Sequence, residues 1–346
     1  MHEFIRTTLK SVANGNTLTA DEAETFMNLL MEGQSSPVQT AGLLAAMSVR
    51  GETVAEIVGF AKAMRSHSVH IDVQHDIVDT CGTGGDGGHT FNISTASAFV
   101  AAAAGAYVAK HGNRAVSSHS GSADVLQALG AKIDIGHSEA TLCLEDTGVS
   151  FLFAPQYHPA MKHAAQPRQE LGFRTIFNIL GPLTNPANPQ RQVLGVFRAD
   201  LVEKVAEALS QLGSKHALVV HGHGGIDELS ISGGTLVAEV KDGKVKTFTL
   251  QPEDVGLKRA PLSEITGGNA EENAGLIRNI FTDTNGPSRD IVAYNAGAVL
   301  YVSGLAQSVR EGVEKAQHAI AAGKAMRVMQ GFIDATHMYS NVEVAQ

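Results

Sequence analysis

Five glycines fall within the seven positions Gly82 to Gly88, between an apolar strand pattern and the start of an alanine-rich helix pattern. The stretch reads Asp79-Thr-Cys-Gly-Thr-Gly-Gly-Asp-Gly-Gly-His-Thr-Phe-Asn-Ile-Ser-Thr95. It begins in the strand pattern Asp76-Ile-Val-Asp79 and ends in a run of helix-capping residues, Asn92-Ile-Ser-Thr95. Strand, glycine loop and helix start together turn backbone N–H groups and a helix dipole toward a bound anion. Glycine suits such a loop because it accepts positive φ and lets anion oxygens approach the main chain.

The rest of the chain supplies a frame for that loop. Residues 1–70 read as helices only. Thr19 with Glu22 and Thr53 with Glu56 are capping boxes, Ser36-Pro37 is an N-cap with proline at the first helical position, and Gly33 and Gly51 end helices. From about residue 71 the pattern alternates strand with helix, the sign of a parallel sheet. The expected strands are Ile77–Asp79, Ala106–Lys110, Ser150–Phe153, Gln192–Phe197 and Ala217–His221. The expected helices between them are Ala96–Ala104, Ala123–Leu129, Ser138–Asp146 and Asp200–Leu212. Three more strands follow, Leu229–Ser232, Leu236–Lys241 and Lys244–Leu250, with Asp242-Gly243 as a hairpin turn. The tail from Glu272 to His337 is helical.

One segment breaks the rhythm. Between about 158 and 187 there are two proline-marked helix starts, His158-Pro159 and Gln166-Pro167, and then the turn Gly181-Pro182-Leu-Thr-Asn-Pro186. This excursion is expected to leave the sheet and pack on the N-terminal helices. The fold class is therefore α/β, a mostly parallel central sheet flanked by helices, with a small all-helical domain. The small domain takes residues 1–70 with the excursion, and the large one 71–157 and 188–346.

Composition narrows the function. Net charge is −9 with no basic run, which argues against nucleic acid as a partner. Two cysteines, Cys81 and Cys143, make neither a disulfide framework nor a metal motif and suit a reducing cytoplasm. The N-terminus shows no signal-peptide pattern, and the longest apolar run, Ala98 to Ala109, is too short to span a membrane.

Gly82-Thr-Gly-Gly-Asp-Gly87 matches G-x-G-x-x-G, but the next strand ends in Lys110-His111 rather than an acid, so a dinucleotide fold is disfavoured. No G-K-[ST] follows, which excludes a Walker loop. A lysine opposite a glycine loop points to phosphates held from two sides. Lys110 can act as a point charge, and Asn113, Ser117 and Ser118 as neutral donors. His111 reads as structural, and Arg114 as either a phosphate contact or a brace. Asp227-Glu228, after Gly224-Gly225, offers hard oxygen ligands for Mg²⁺; alone, such a pair is more often a solvated turn. Arg168, expected in the first turn after Pro167, suits a substrate carboxylate but alone reads as a salt-bridge residue. His158 and His163 read as packing or hinge residues, and Cys81 as core.

Together these motifs closely resemble the anthranilate phosphoribosyltransferase family: the stretch Asp79 to Asp86, Asn92 to Thr95, Lys110-His-Gly-Asn-Arg-Ala-Val-Ser-Ser118, Arg168, Phe177-Asn-Ile-Leu-Gly-Pro-Leu-Thr-Asn-Pro186 and Asp227-Glu228. The resemblance covers nearly the whole chain. It implies transfer of the phosphoribosyl group of phosphoribosyl pyrophosphate to the amine of anthranilate in tryptophan biosynthesis. It also implies a homodimer formed through the helical domain. By the resemblance Gly82, Gly85, Asp86, Thr90, Asn92, Ile93, Ser94 and Thr95 cradle the pyrophosphate. Lys110, His111, Gly112, Asn113, Arg114, Ala115, Val116, Ser117, Ser118 and Ser122 line the phosphoribosyl site. Gly82, Asn113 and Arg168 meet anthranilate, and Ser94, Asp227 and Glu228 hold two Mg²⁺. Lys110 and Arg168 serve catalysis by alignment and charge stabilisation, with no general base. His119 departs from the lysine or arginine expected there. The alternatives are a pyrimidine nucleoside phosphorylase-like enzyme and a non-catalytic nucleic-acid-binding relative of the same fold.

Overall fold

The computed structural model describes residues 2–84, 90–115, 119–282 and 284–340. Four helices come first: α1 (His2–Ala13), α2 (Ala20–Met31), α3 (Pro37–Arg50) and α4 (Val54–Ser66). Their starts are set by local chemistry. Thr19 Oγ1 accepts the Glu22 N–H at 3.2 Å while Glu22 Oε2 accepts the Thr19 N–H at 2.9 Å. Ser36 with Gln39 and Thr53 with Glu56 repeat the reciprocal pattern. The box at Glu56 does more than cap. Its buried carboxylate also holds both Arg50 (2.6 Å) and the Leu18 N–H (2.9 Å), which ties three helices together.

A seven-stranded sheet follows, in the order β3-β2-β1-β4-β5-β6-β7. Its strands are β1 (Ile77–Gly82), β2 (Tyr107–Gly112), β3 (Val149–Phe153), β4 (Arg191–Gly195), β5 (His216–His221), β6 (Thr235–Lys241) and β7 (Lys244–Leu250). The first five are parallel, and β6 and β7 are antiparallel. Asp242 and Gly243, both at positive φ, make the hairpin turn between them. The intervening helices are α5 (Ile93–Ala103), α6 (Ser122–Leu129), α7 (His137–Thr147), α8 (Ala154–Tyr157), α9 (Lys162–Leu171), α10 (Phe177–Leu180) and α11 (Leu201–Gln211). The tail forms α12 (Ala270–Phe281), α13 (Pro287–Val302), α14 (Val309–Ala321) and α15 (Lys324–Tyr339).

The period-2 alternation of the strands sends side chains into two separate cores. On β5, Leu218 and Val220 join α5, α13 and the C-terminal helices, while Ala217 and Val219 join α11 and the N-terminal helices. Ala164, Ile176, Phe177, Ile179, Leu180 and Leu183, all from the excursion, lie in this second core. The sequence order of the strands reverses between β1 and β4. In open α/β sheets that switch point leaves a crevice beyond the carboxyl ends of the strands, and the glycine loop leaves β1 there.

Three local expectations are corrected. Leu229–Ser232 is not a strand: side chains take its backbone bonds, with Asn295 Oδ1 on the Leu229 N–H (3.0 Å) and Thr235 Oγ1 on the Ser230 N–H (2.9 Å). Gln166-Pro167 does not start a helix. Pro159–Met161 is a single 3₁₀ turn that leads into α9, and α9 runs on through Pro167. Arg168 therefore sits in the last turn of α9, not the first.

His111 on β2 and His158 at the start of the excursion are both buried, with ring centroids 5.1 Å apart. Each imidazole lies near the returning turn, His111 by the Gly181 backbone and His158 by that of Thr184, and each leaves its Nε2 without a hydrogen-bond partner among the described residues. Burial, reinforced by the neighbouring histidine, lowers His111 to about 3; burial, with His70 adding to it, lowers His158 to about 4. Both are neutral in the native state and protonate near 6.5 when unfolded. Their stabilising contribution is thus complete above about pH 6.5 and is lost as pH falls toward 3–4. Urea midpoints measured from pH 7 to pH 4 should fall, and His158→Gln should flatten that decline; equal slopes would contradict the assignment.

Candidate active site

The root of the glycine loop is fastened to β4. The Thr83 N–H donates to Gly195 O at 2.9 Å, and Thr83 Oγ1 accepts the Phe197 N–H at 3.1 Å. Gly84 follows at φ +68°, and its N–H donates to Asp227 Oδ2 at 2.7 Å. Gly85 and Asp86, assigned to the cradle, lie outside the described residues. Thr90 re-enters through a bridge to Thr266 and leads into α5.

Asn92 holds the N-cap position but makes no side-chain cap. Its amide donates to Ser120 O (3.1 Å) and accepts from the buried Asn273 (3.0 Å). The capping group comes instead from 134 residues away: Glu228 Oε1 accepts the Ser94 N–H at 3.0 Å. A carboxylate at a helix N-terminus is favoured by the backbone dipole. Ile93 is buried, and Thr95 turns its hydroxyl into the core, where it has no partner among the described residues.

The acidic pair is placed by the segment after β5. Gly224 and Gly225 at positive φ turn the chain back, and Asn295 on α13 grips both backbone groups of Leu229. Asp227 then packs so closely on β1 and β4 that a methyl at Gly82 would overlap its carboxylate and one at Gly195 its carbonyl. These two glycines are required by space rather than by φ.

Lys110 is no surface lysine. It is buried beneath α5, and its ammonium donates to Thr80 O and to Ser94 Oγ (3.1 Å). Lys110 and Glu228 thus meet at the first turn of α5, while Asp227 holds the glycine loop beside it. Beyond β2, Arg114 braces the loop through Asp124 (3.0 Å), whose other oxygen accepts the Ala115 and Gly121 N–H groups at 2.9 Å. Asn113 is exposed, its carbonyl accepting from Ser122 Oγ at 3.3 Å, and Gly112 packs against Ser122 and Phe151. Val116, Ser117 and Ser118 lie outside the described residues. His119 is exposed.

Arg168 belongs to the excursion, in the last turn of α9. Its guanidinium stacks over Phe177 at 5.0 Å, and burial lowers its pKa. It has no hydrogen bond or ion pair among the described residues, which suits a group that awaits an anionic ligand. Cys81 is buried, and desolvation pushes its thiol well above the usual range, so it is no nucleophile.

The donor set tests the metal. Ser94 offers a hydroxyl, and Glu228 and Asp227 offer carboxylates held on the Ser94 and Gly84 N–H groups, hard ligands suited to Mg²⁺. Among the described residues no group of three or more His, Cys, Asp or Glu makes an all-protein cage. Mg²⁺ takes the former kind of site, because it keeps waters and shares phosphate oxygens. The residues fit.

Two family models match the chain. A glycosyl transferase family helical bundle domain covers residues 6–68, and a glycosyl transferase family a/b domain covers residues 74–326. The anthranilate phosphoribosyltransferase of Symbiobacterium thermophilum is 51% identical over 330 residues, 95% of this chain and 97% of that one. The chain belongs to the anthranilate phosphoribosyltransferase family. The crystal structure of the Thermus thermophilus anthranilate phosphoribosyltransferase is 46% identical with a TM-score of 0.90, covering 95% of this chain and 99% of that one. The Saccharomyces cerevisiae anthranilate phosphoribosyltransferase, solved in complex with PRPP and Mg, is 30% identical with a TM-score of 0.85, covering 96% and 98%.

Sequence reasoning missed Asn273, Asn295 and Thr83 as supports of this anthranilate phosphoribosyltransferase site. The two asparagines are single polar residues in helical patterns, and nothing local tells a buried one from a solvated one. Gly195 carries the plainest test of the packing. Gly195→Ala should destabilise the protein by about 1–3 kcal/mol and displace Asp227; an unchanged urea midpoint with unchanged Mg²⁺ affinity would contradict the close approach.

Proposed function

We propose that this chain transfers the phosphoribosyl group of 5-phosphoribosyl 1-pyrophosphate to the amine of anthranilate, giving N-(5-phosphoribosyl)anthranilate and pyrophosphate in tryptophan biosynthesis. The observation that carries this reading is the convergence of Asp227, Glu228 and Lys110 on the glycine loop and α5, with Arg168 presented from the excursion.

The glycine loop, Thr90 and the first turn of α5 bind the pyrophosphate, while the loop after β2, from Lys110 to Ser122, holds the ribose and its 5-phosphate. Two Mg²⁺, held by Ser94, Asp227 and Glu228, supply charge neutralisation for the leaving pyrophosphate when bound. The Lys110 ammonium, fixed by Thr80 O and Ser94 Oγ, adds a preorganised positive charge at the same end. Arg168 takes the anthranilate carboxylate, with Gly82 and Asn113 beside the ring. An aromatic amine is neutral near pH 7, so it attacks C1 of the ribose without prior deprotonation, and no general base is needed. Catalysis then rests on alignment of amine, C1 and leaving oxygen. The helical part, residues 1–70 with 158–187, moves as one body against the α/β part to bring the substrates together and exclude water.

Two further features belong to this reading. Val38 and Val49 on α3 expose 82% and 90% of their surface, and they support a homodimer formed through the helical domain. Two free, buried cysteines support a cytoplasmic setting, and no helix among the described residues is long and apolar enough to cross a membrane.

Anthranilate fluorescence followed over time with phosphoribosyl pyrophosphate and Mg²⁺ tests the reaction. Loss of signal should require all three components; loss without the sugar phosphate, or none with all three, would overturn it. Arg168→Ala should raise KM for anthranilate by about ten- to a hundredfold with kcat little changed, and an unchanged KM would remove its role. Asp227→Ala combined with Glu228→Ala should abolish Mg²⁺-dependent turnover; a normal magnesium titration of that variant would contradict the metal assignment.

A further inference from the structure

Asp79 has no exposed surface and no part in the chemistry above, yet it lies in the strand that ends in the glycine loop. A buried carboxylate is unfavourable unless protein donors surround it, and an apolar side chain is often the more stable occupant. Asp79 is surrounded. The His111 N–H reaches Oδ1 at 3.4 Å, Gln192 Nε2 reaches Oδ2 at 3.4 Å, and the Cys81 thiol approaches Oδ2 at 3.6 Å. The side-chain amide of Asn185 lies nearby and favours the charged form.

The partners come from separate parts of the chain. His111 belongs to β2 and Gln192 to β4. Asn185 belongs to the turn 181–186, which returns the excursion to the sheet. The same two amides bind the surrounding backbone, Gln192 Nε2 to Pro182 O and Asn185 Nδ2 to Ala109 O, both at 2.8 Å. One carboxylate therefore sits at the joint between two bodies. On one side is the segment that carries Arg168. On the other are the strands that carry the glycine loop and Lys110. Parallel pairing sets Thr80 beside Lys110, so Asp79 and Lys110 lie on opposite faces of the sheet, and Asp79 does not occupy the phosphate site itself.

We propose that Asp79 is a positioning residue: its carboxylate pins the return of the excursion to β1, β2 and β4, and so sets where Arg168 holds the acceptor relative to the bound donor. This rests on the donor and acceptor assignments made above. An asparagine at 79 keeps the shape but turns an amide toward the His111 and Gln192 N–H donors, so Gln192, which also holds Pro182 O, and with it the turn 181–186 loosen while the phosphate loops stay in place.

The test compares Asp79→Asn with the wild-type full chain. KM for anthranilate should rise about tenfold, while Kd for phosphoribosyl pyrophosphate with Mg²⁺, measured by calorimetry, stays within about twofold. Amide hydrogen exchange over 181–186 should speed about tenfold or more, with α5 unchanged. A folded variant with wild-type KM and wild-type exchange overturns the proposal. A parallel loss of affinity for both substrates also overturns it, since that marks a general support of the sheet. Asp79→Ser removes the carboxylate while leaving the Gln192 and Asn185 backbone bonds in place, and decides the matter by the same measurements if Asp79→Asn does not fold. A wild-type chain that fails to consume anthranilate counts against the reaction assigned above, and the exchange comparison still decides whether Asp79 pins the turn.

Discussion

The hold of two adjacent carboxylates on backbone N–H groups organises this protein. Asp227 takes the Gly84 N–H at 2.7 Å and Glu228 the Ser94 N–H at 3.0 Å, so the loop after β5 closes over the loop after β1. Each end of that contact imposes conditions elsewhere. Gly82 and Gly195 can bear no side chain because Asp227 lies against them. Gly224 and Gly225 must turn the chain at positive φ, and Asn295 must reach from α13 to secure Leu229. The donors that receive these carboxylates are the kind that bind phosphate in other glycine loops. On the proposed function, a pyrophosphate entering here would meet resident negative charge, a physical reason for a divalent cation at the site.

The sheet separates the two substrates' supports as well as the two cores. Lys110 points under α5 to Ser94, while His111, its neighbour, points to His158 and the returning turn. Alternation along one strand thus divides them: one face carries the Lys110 ammonium, and the other faces the segment that contains Arg168. The second core runs without interruption from the far face of the sheet through α11 to the N-terminal helices. On the closure proposed above, movement of the helical part would be absorbed by turns such as 181–186, which Gln192 holds at Pro182 O and Asn185 ties to Ala109 O.

Much of this was legible beforehand because it is local. Capping boxes at Thr19, Ser36 and Thr53 and the strand alternation need only near neighbours in sequence, and they gave the helical N-terminus and the parallel sheet. The Gly82–Gly88 run and Lys110 point to one edge of the sheet, and the structure brings Lys110 to Ser94 on the helix that follows the run. What escaped is non-local. Asn92 looks like a helix cap, but Ser120 and Asn273 claim its side chain and Glu228 does the capping. Leu229–Ser232 looks like a strand, but Asn295 and Thr235 take its hydrogen bonds. Pro167 looks like a helix start, but helix continues on both sides of it. For Asn92 and Leu229 the partners that override the local preference lie far along the chain, at Ser120, Asn273, Glu228 and Asn295.

The central claim is that Asp227 and Glu228 guard the anion site and admit pyrophosphate only with a divalent cation. The direct measurement is calorimetric titration of phosphoribosyl pyrophosphate into the wild-type chain, with Mg²⁺ and with chelator. The account predicts binding tighter by about a hundredfold or more with Mg²⁺, equivalent to about 2.7 kcal/mol or more. Equal affinity in the two titrations would contradict it.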